Sequence, residues 1–254
     1  MKQSSPAESI RICAVVLHYG DPSLTRRVQR QLLERAPHDH SHVRILDNAA
    51  PLPAESPWVR LPENLYWAGA LQWTLEYLTT REPEYTHLWF LNNDIAFATP
   101  GPQLMRVAQR LAWIESRLGR VGAYSPAALR NPYHPQMVLK SDQQMRTVAY
   151  LDGIAPVFNI QALNAAGGID LEGNPYGYGV DVMTSLRLHQ AGLSLVVDHQ
   201  VALRHTYHST ARTVTGFMEQ AARAEERYLT ARLGRDYVET LGKLKLEFQD
   251  IDRL

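Results

Sequence analysis

The chain has 254 residues, 45% of them hydrophobic and 20% charged, which is enough for one sizeable core and far from the composition of disordered chains. Lys plus Arg number 26 and Asp plus Glu 26, so the formal net charge is zero, which argues against a nucleic-acid partner held by bulk charge. The lone Cys13 forbids an intramolecular disulfide, no apolar stretch nears the roughly 20 residues of a membrane span, and the polar start offers no signal region; a cytoplasmic protein is expected, with peripheral contact at the inner face of a membrane left open.

Residues 12–17 form a β-branched run that breaks at His18-Tyr19-Gly20-Asp21-Pro22, a strand passing through a turn into a helix. Asp21 caps that helix, and Leu24, Val28 and Leu32 follow at helical spacing. A second strand is expected at 43–46, ending at Asp47-Asn48, with a proline-rich loop reaching Pro62. Leu71, Leu75 and Leu78 mark a helix that starts near Gly69, and residues 87–91 mark a third strand ending at Asn92-Asn93-Asp94. Leu104, Val107, Leu111, Ile114 and Leu118 alternate intervals of three and four, an amphipathic helix with Gly119 just past its end. A strand at 121–124 completes an alternation that implies a mostly parallel sheet covered on both faces, with ligands beyond the carboxyl ends of its strands.

The second half is less regular. It predicts a strand at 151–158, a short helix at 161–166 stopped by Gly167-Gly168, and a Gly- and Tyr-rich loop at 174–179. A helix from Asp181 to Gly192, short strands at 193–197 and 201–203, and a last helix at 214–233 complete it. No GxGxxG follows the first strand, and GxxxxGK[ST], GxSxG and HExxH are absent, which disfavours dinucleotide dehydrogenases, P-loop NTPases, α/β-hydrolases and zincins. His38, Asp39, His40 and His42 lack patterned ligand spacing and are expected to form a solvated loop.

Five segments stand in a specific order: VRILDNA at 43–49, LPENLYWAGA at 61–70, WFLNND at 89–94, YGYGVD at 176–181 running into LRLHQAG at 186–192, and VALRH at 201–205. In order and approximate spacing, over residues 10–210, they resemble the family 2 nucleotide-diphosphate-sugar glycosyltransferases with the GT-A fold, most of all bacterial, rhamnosyltransferase-like enzymes of surface polysaccharides. The resemblance implies an α/β GT-A domain over residues 1–213, a Rossmann-like and mostly parallel sheet flanked by helices, with a C-terminal helical tail over 214–254 packed on it. It implies inverting transfer of a sugar from a UDP-, dTDP- or GDP-sugar to a hydroxyl of a glycan or lipid-linked acceptor, in polysaccharide or lipopolysaccharide synthesis. A sugar nucleotidyltransferase is disfavoured because residues 17–21 lack a Gly-rich cationic loop. A non-catalytic nucleotide- or glycan-binding relative stays open, because two acidic motifs are thinned at Asn92 and Val180.

Sugar transfer needs a nucleobase pocket, compensation for charge on the departing diphosphate, and a base for the acceptor hydroxyl. By the resemblance, Asp47 meets the base, and Tyr19, Asn64, Gly69, Asn93 and Asp152 line the nucleotide and donor sugar. Asp94 ends the segment where the family carries a metal-binding Asp-x-Asp. Here Asn92 replaces the first acid, leaving one carboxylate for Mn²⁺ or Mg²⁺, with His205 as a further ligand and His208 three residues on. Asp181 takes the place of the catalytic base at a helix start, where an acid is otherwise a plain N-cap, and Val180 in place of the family's Glu leaves it the one acid there. Tyr176 and Tyr178 are expected to stack on the acceptor.

Overall fold

The computed structural model describes residues 10–33, 41–207 and 216–252 and folds them around one sheet. Strand β1 (Ile12–His18) pairs in parallel with β2 (Val43–Asp47) on one side and β4 (His87–Asn92) on the other. All seven β1 residues are buried. Ile12, Ala14 and Val16 join the core under α1 (Pro22–Leu33) and α3 (Gln103–Leu118), while Cys13, Val15 and Leu17 join the core under α2 (Tyr66–Arg81). A strand covered on both faces has no polar side to show, which is why it reads as an unbroken apolar run. Burial pushes the Cys13 thiol up to about 12, so it serves as a small apolar side chain.

Beyond these lie β3 (Val59–Arg60), β5 (Ile95–Phe97), β6 (Val121–Ala128), β7 (Gln143–Val148), β8 (Val157–Asn159), β9 (Ser194–His205) and β10 (Phe248–Asp252). The strand order is β10-β7-β9-β6-β8-β4-β1-β2-β3, with β5 pairing β9. Pairing is parallel through β4, β1, β2 and β3 and again between β6 and β9, while β8 runs antiparallel between β4 and β6. The fold is therefore α/β with helices on both faces, and the polar ends of β1, β2 and β4 share one edge. Two expected strands fuse into the single β9, whose pairing with β6 shifts register between Pro126 and Ala127. Pro126 has no N–H to give the ladder, so a register shift is at home there. The strand expected at 151–158 shortens to β8, because residues 151–156 leave regular structure on the way to the site described below.

Helices α4 (Ile160–Ala165) and α5 (Val180–Gln190) match their expected places, and α2 starts at Tyr66 rather than near Gly69. The expected tail becomes α6 (Phe217–Leu233) and α7 (Tyr237–Leu244), then β10, which extends the main sheet antiparallel to β7. Residues 214–215 of the expected last helix, and His38, Asp39, His40 and His208, lie outside the described residues. No helix among the described residues is long and apolar enough to cross a membrane.

Two ionic anchors tie the tail down. Arg232 on α6 donates from Nε and Nη2 to Asp170 at 2.7 and 2.9 Å, and Arg187 of α5 reaches the same carboxylate at 2.9 Å. On β10, Asp250 accepts from Arg146 Nε at 2.6 Å and Nη2 at 3.1 Å and from Lys140 Nζ at 2.8 Å, while Arg146 Nη1 donates to the Gln136 carbonyl at 3.0 Å. The Arg146 side chain is 3% exposed. The Arg146 guanidinium holds the Asp250 carboxyl down at about 2.

Asp250→Asn strands a buried guanidinium, so a loss of about 2–4 kcal/mol is expected in urea denaturation at pH 7. Because the folded-state pKa is depressed from 3.8 to about 2, the Asp250 contribution is present above pH 3.8 and lost as pH falls through 2. The gap between wild type and Asp250→Asn should close over that window; a gap unchanged at pH 2 would refute the ionic latch.

Candidate functional site

The rim of the site is set by side chains spent on the protein itself. Asp47 is fully buried, and its carboxylate accepts from Ala50 N and Ala54 N, both at 2.9 Å, and from Arg60 Nη1 at 2.7 Å. Expected to meet the nucleobase, Asp47 also shapes the loop at 50–54, because a desolvated carboxylate collects the donors in reach. His18 Nε2 faces the Leu52 carbonyl at 2.8 Å, and as that carbonyl only accepts, Nε2 carries the proton and Nδ1 receives the Thr25 hydroxyl at 2.7 Å. Asn93 Nδ2 donates to Thr25 Oγ1 at 3.0 Å and to the Tyr19 carbonyl at 3.2 Å, so Asn93 and the Tyr19 backbone brace the ends of β4 and β1. Asn64 Oδ1 accepts from Asn48 Nδ2 and from Tyr66 N, both at 2.8 Å, and thereby holds Tyr66 at a positive φ of 54°. Gly69 lies inside α2, where a Cβ would meet Leu65 Cβ at 3.0 Å; its smallness serves helix packing.

Strand pairing builds the next layer. β5 runs antiparallel to the end of β9 with Ile95 opposite His205, and Thr206 N donates to the Asp94 carbonyl at 3.0 Å. This places His205 Nε2 3.0 Å from Asp94 Oδ1. His205 Nδ1 is buried without a partner. A carboxylate beside an imidazole is a donor set that suits a divalent cation. Among the described residues no third His, Cys, Asp or Glu completes a cage, so a cation there takes its other ligands from substrate and water.

A second carboxylate pair forms where residues 151–156 pass the start of α5. Asp181 Oδ2 accepts from Gly153 N at 2.8 Å and Oδ1 from Val182 N at 2.9 Å. Asp152 accepts from Asn131 Nδ2, and Asn131 Oδ1 in turn takes Tyr133 N at 3.1 Å and His134 N at 2.9 Å. Burial raises Asp152 to about 6. Asp181 keeps some solvent contact as a residue, yet burial of its carboxyl is the largest cause of its rise to about 7, with the charges of Asp152 and Glu225 adding to it. Asp181 is thus not the one acid there: Asp152 arrives from another segment and Glu225 from α6. Burial raises the Tyr178 phenol, and the charges of Glu225, Asp181 and, more weakly, Asp94 add to it, so Tyr178 lies within electrostatic reach of both groups.

The Gly- and Tyr-rich loop is fixed by fully buried Asn174, which accepts from Tyr176 N at 3.2 Å and donates to the Tyr178 carbonyl at 2.6 Å. The Tyr176 ring lies 4.9 Å from Tyr66 and 5.7 Å from Phe217 of α6, and Tyr178 lies 6.3 Å from Phe217. The rings expected to stack on a ligand are half-buried against one another, and the tail supplies one wall. Tyr66, Trp67, Asn131, Tyr150 and Glu225 escaped the sequence reading. Asn131-Pro132 carries a turn signal, but nothing local to it announces a partner in Asp152.

No protein-family model matches the chain. Uncharacterised proteins of Mycobacterium tuberculosis and Mycobacterium bovis are 29% identical over 165 residues, covering 61% of this chain and 59% of theirs. Among solved structures, GalNAc-T7 with UDP, GalNAc and Mn²⁺ superposes with a TM-score of 0.60 at 12% identity, over 95% of this chain and 55% of that one. The mannosyltransferase PcManGT of Pyrobaculum calidifontis, with GDP-Man and Mn²⁺, gives 0.53 at 14% identity, over 94% and 76%. The likeness is one of fold, and the fold is GT-A.

Asp181 carries a stability signature opposite to that of a structural cap. Its folded-state pKa is raised from 3.8 to about 7, so ionising it in the folded protein costs stability, and that cost grows as pH rises from about 4 to 7. Asp181 stands in the first turn of α5, whose N-cap is Gly179. Asp181→Asn cannot ionise and keeps one oxygen for the Gly153 amide, while its NH2 takes the place of the oxygen that accepts from Val182 N. It should be more stable than wild type at pH 8 by a few kcal/mol, at about 1.4 kcal/mol per pKa unit, and equal to it near pH 4. Urea melts at the two pH values measure this, and a less stable Asn variant at pH 8 would make Asp181 a plain cap.

Proposed function

We propose that the protein is an inverting glycosyltransferase of the family 2, rhamnosyltransferase-like kind, moving a sugar from a nucleotide-diphosphate donor to an acceptor hydroxyl. The observation that carries this reading is the Asp181 carboxylate, aimed by the Gly153 and Val182 amides and raised to about 7, in one site with the Asp94 and His205 pair. A general base works best when its pKa lies near the working pH. The GT-A fold, shared with enzymes solved with UDP and GDP-Man, supports the donor class.

The acceptor oxygen attacks the anomeric carbon from the face opposite the diphosphate. As that bond forms, the bond from the anomeric carbon to the diphosphate oxygen breaks, and the hydroxyl proton passes to Asp181. The nucleotide diphosphate leaves with its electron pair, and the configuration inverts. Asp94 and His205 would hold a divalent cation, Mn²⁺ or Mg²⁺, which when bound supplies positive charge against the diphosphate oxygens. The nucleobase of a UDP-, dTDP- or GDP-sugar would lie at the carboxyl end of β2, beside Asp47 and the loop at 50–54 that its carboxylate holds in place. The acceptor is a glycan or lipid-linked sugar of bacterial surface polysaccharide synthesis, met at the aromatic wall of Tyr66, Tyr176, Tyr178 and Phe217.

A thermal-shift panel of UDP, GDP, dTDP and CDP, with and without Mn²⁺, identifies the nucleotide. Asp94→Ala should abolish the Mn²⁺-dependent part of that shift; equal wild-type binding in excess chelator would remove the cation from the reading. With the donor identified, Asp181→Asn should lower transfer by at least ~10²-fold while nucleotide affinity stays within about twofold. Wild-type transfer rates should rise with pH through an inflection near 7 as Asp181 ionises. Transfer by Asp181→Asn near the wild-type rate would sink the mechanism, and nucleotide binding without any transfer would favour a non-catalytic relative.

A further inference from the structure

We propose that Trp67 is a positioning residue for Asp181, its indole N–H donating a second hydrogen bond to the Oδ2 atom of the carboxylate. The catalytic meaning of this contact rests on Asp181 being the base; the contact itself does not.

Trp67 Nε1 is buried without a partner. An unpaired buried donor costs the desolvation of its N–H and gains nothing in return, so such an atom at a site calls for an acceptor. Gly153 points to a candidate acceptor on that side of the ring. A Cβ placed on Gly153 would lie 2.9 Å from Trp67 Cζ2 and 3.1 Å from Cε2, the carbon bonded to Nε1, and 3.3 Å from Asp181 Oδ2. The indole edge and the carboxylate oxygen therefore crowd the same point, and the missing side chain at 153 leaves it to them. Oδ2 already accepts from Gly153 N at 2.8 Å, and a carboxylate oxygen has two lone pairs. A ring whose donor lacks an acceptor thus borders the same small space as an acceptor with capacity to spare.

The rest of the ring is hemmed in. Phe90 meets it edge-on at 5.9 Å, and the Gly177 backbone lies so close that a Cβ there would be 3.3 Å from Trp67 Cβ. What travel remains is a small pivot of ring or carboxylate, of the kind by which long apo-state hydrogen bonds tighten in a working complex. With Gly153 N and Trp67 Nε1 both on Oδ2, that oxygen is filled. Oδ1, bonded to Val182 N alone, keeps a lone pair for the acceptor proton.

Several groups face Asp181. Asp152 precedes Gly153, Glu225 comes from α6, and Tyr150, Tyr178 and Tyr228 feel its charge from three further segments, their phenols kept protonated by burial. Trp67, from α2, brings no charge of its own. An N–H given to the ionised carboxylate favours the charged form, so it opposes the push of Asp152 and Glu225.

The test uses the full chain without substrate. Indole ¹H–¹⁵N resonances of the five tryptophans are followed from pH 5 to 9, with Trp67 assigned by triple-resonance spectra and checked by loss of its peak in Trp67→Phe. The Trp67 resonance should move with an inflection that disappears in Asp181→Asn and survives in Asp152→Asn and Glu225→Gln. A flat Trp67 resonance, or one that follows Asp152 or Glu225, overturns the contact. In transfer assays Trp67→Phe should shift the acid limb of the pH profile upward by about half a unit or more and leave the donor KM unchanged. An unmoved limb overturns the positioning role. A titrating Trp67 resonance together with full transfer by Asp181→Asn removes Asp181 as the base and the positioning role with it, while leaving the contact standing.

Discussion

Antiparallel pairing between β5 and the last residues of β9 is the constraint on which the site depends. Three residues after β4 fold over and meet a strand from the far half of the chain, and that ladder alone sets Asp94 against His205. The same long β9 pairs with β6 and β7, and β7 receives β10. A displacement of His205 would therefore have to propagate through strands whose side chains fill both cores. The Asp94–His205 contact is thus carried by strands from the interior of the sheet rather than by a free loop.

The tail serves the site and the sheet together. Asp170 takes three guanidinium contacts and so locks α6, and α6 brings Phe217 to the aromatic wall and Glu225 to the neighbourhood of Asp181. On the other side, Asp250 neutralises Arg146, which grips the Gln136 carbonyl in the segment running from Asn131 toward β7. Asn131 in turn holds Asp152. The segment at 131–136 thus touches the tail through Arg146 at one end and Asp152 through Asn131 at the other.

Much of the first half was legible because its strands are buried on both faces and its helices amphipathic. The run at 12–17 and the stripe from Leu104 to Leu118 are signals that physics makes hard to hide. The weaker elements escaped for reasons equally physical. β10 lies at the sheet's edge and β7 beside it, with the sequences FQDID and QQMRTV, and such polar strands carry no core periodicity. β9 looked like two strands because Asp198 and His199 interrupt its apolar pattern. Asp198 is nonetheless fully buried, held by Arg110 at 2.8 Å and the Tyr124 hydroxyl at 2.9 Å. Among site residues, Asp94, His205 and Asp181 were visible as chemistry at element ends. Asn131, Trp67 and Glu225 were not, because each matters through a partner distant in sequence, and Asp47 shows the converse, a conspicuous acid whose bonding capacity is turned inward.

The thinned acidic motif finds a physical counterweight in the same arrangement. Asn92 removes one formal charge from the end of β4, yet Asp94, Asp152, Asp181 and Glu225 still gather around one site, and Tyr178 senses three of them. In a chain of zero net charge this is a local excess of negative charge, and a diphosphate brought to it would add more. In the proposed function a divalent cation would reconcile the two, and its attraction would depend on the summed field of the site as well as on the atoms that touch it. Carboxylates that do not ligate would therefore add to the attraction that Asp94 alone provides. Burial raises Asp152 to about 6, and burial with the charges of Asp152 and Glu225 raises Asp181 to about 7, so in the proposed mechanism the charge that would draw in the cation and the base that would accept the proton come from one crowded set of acids.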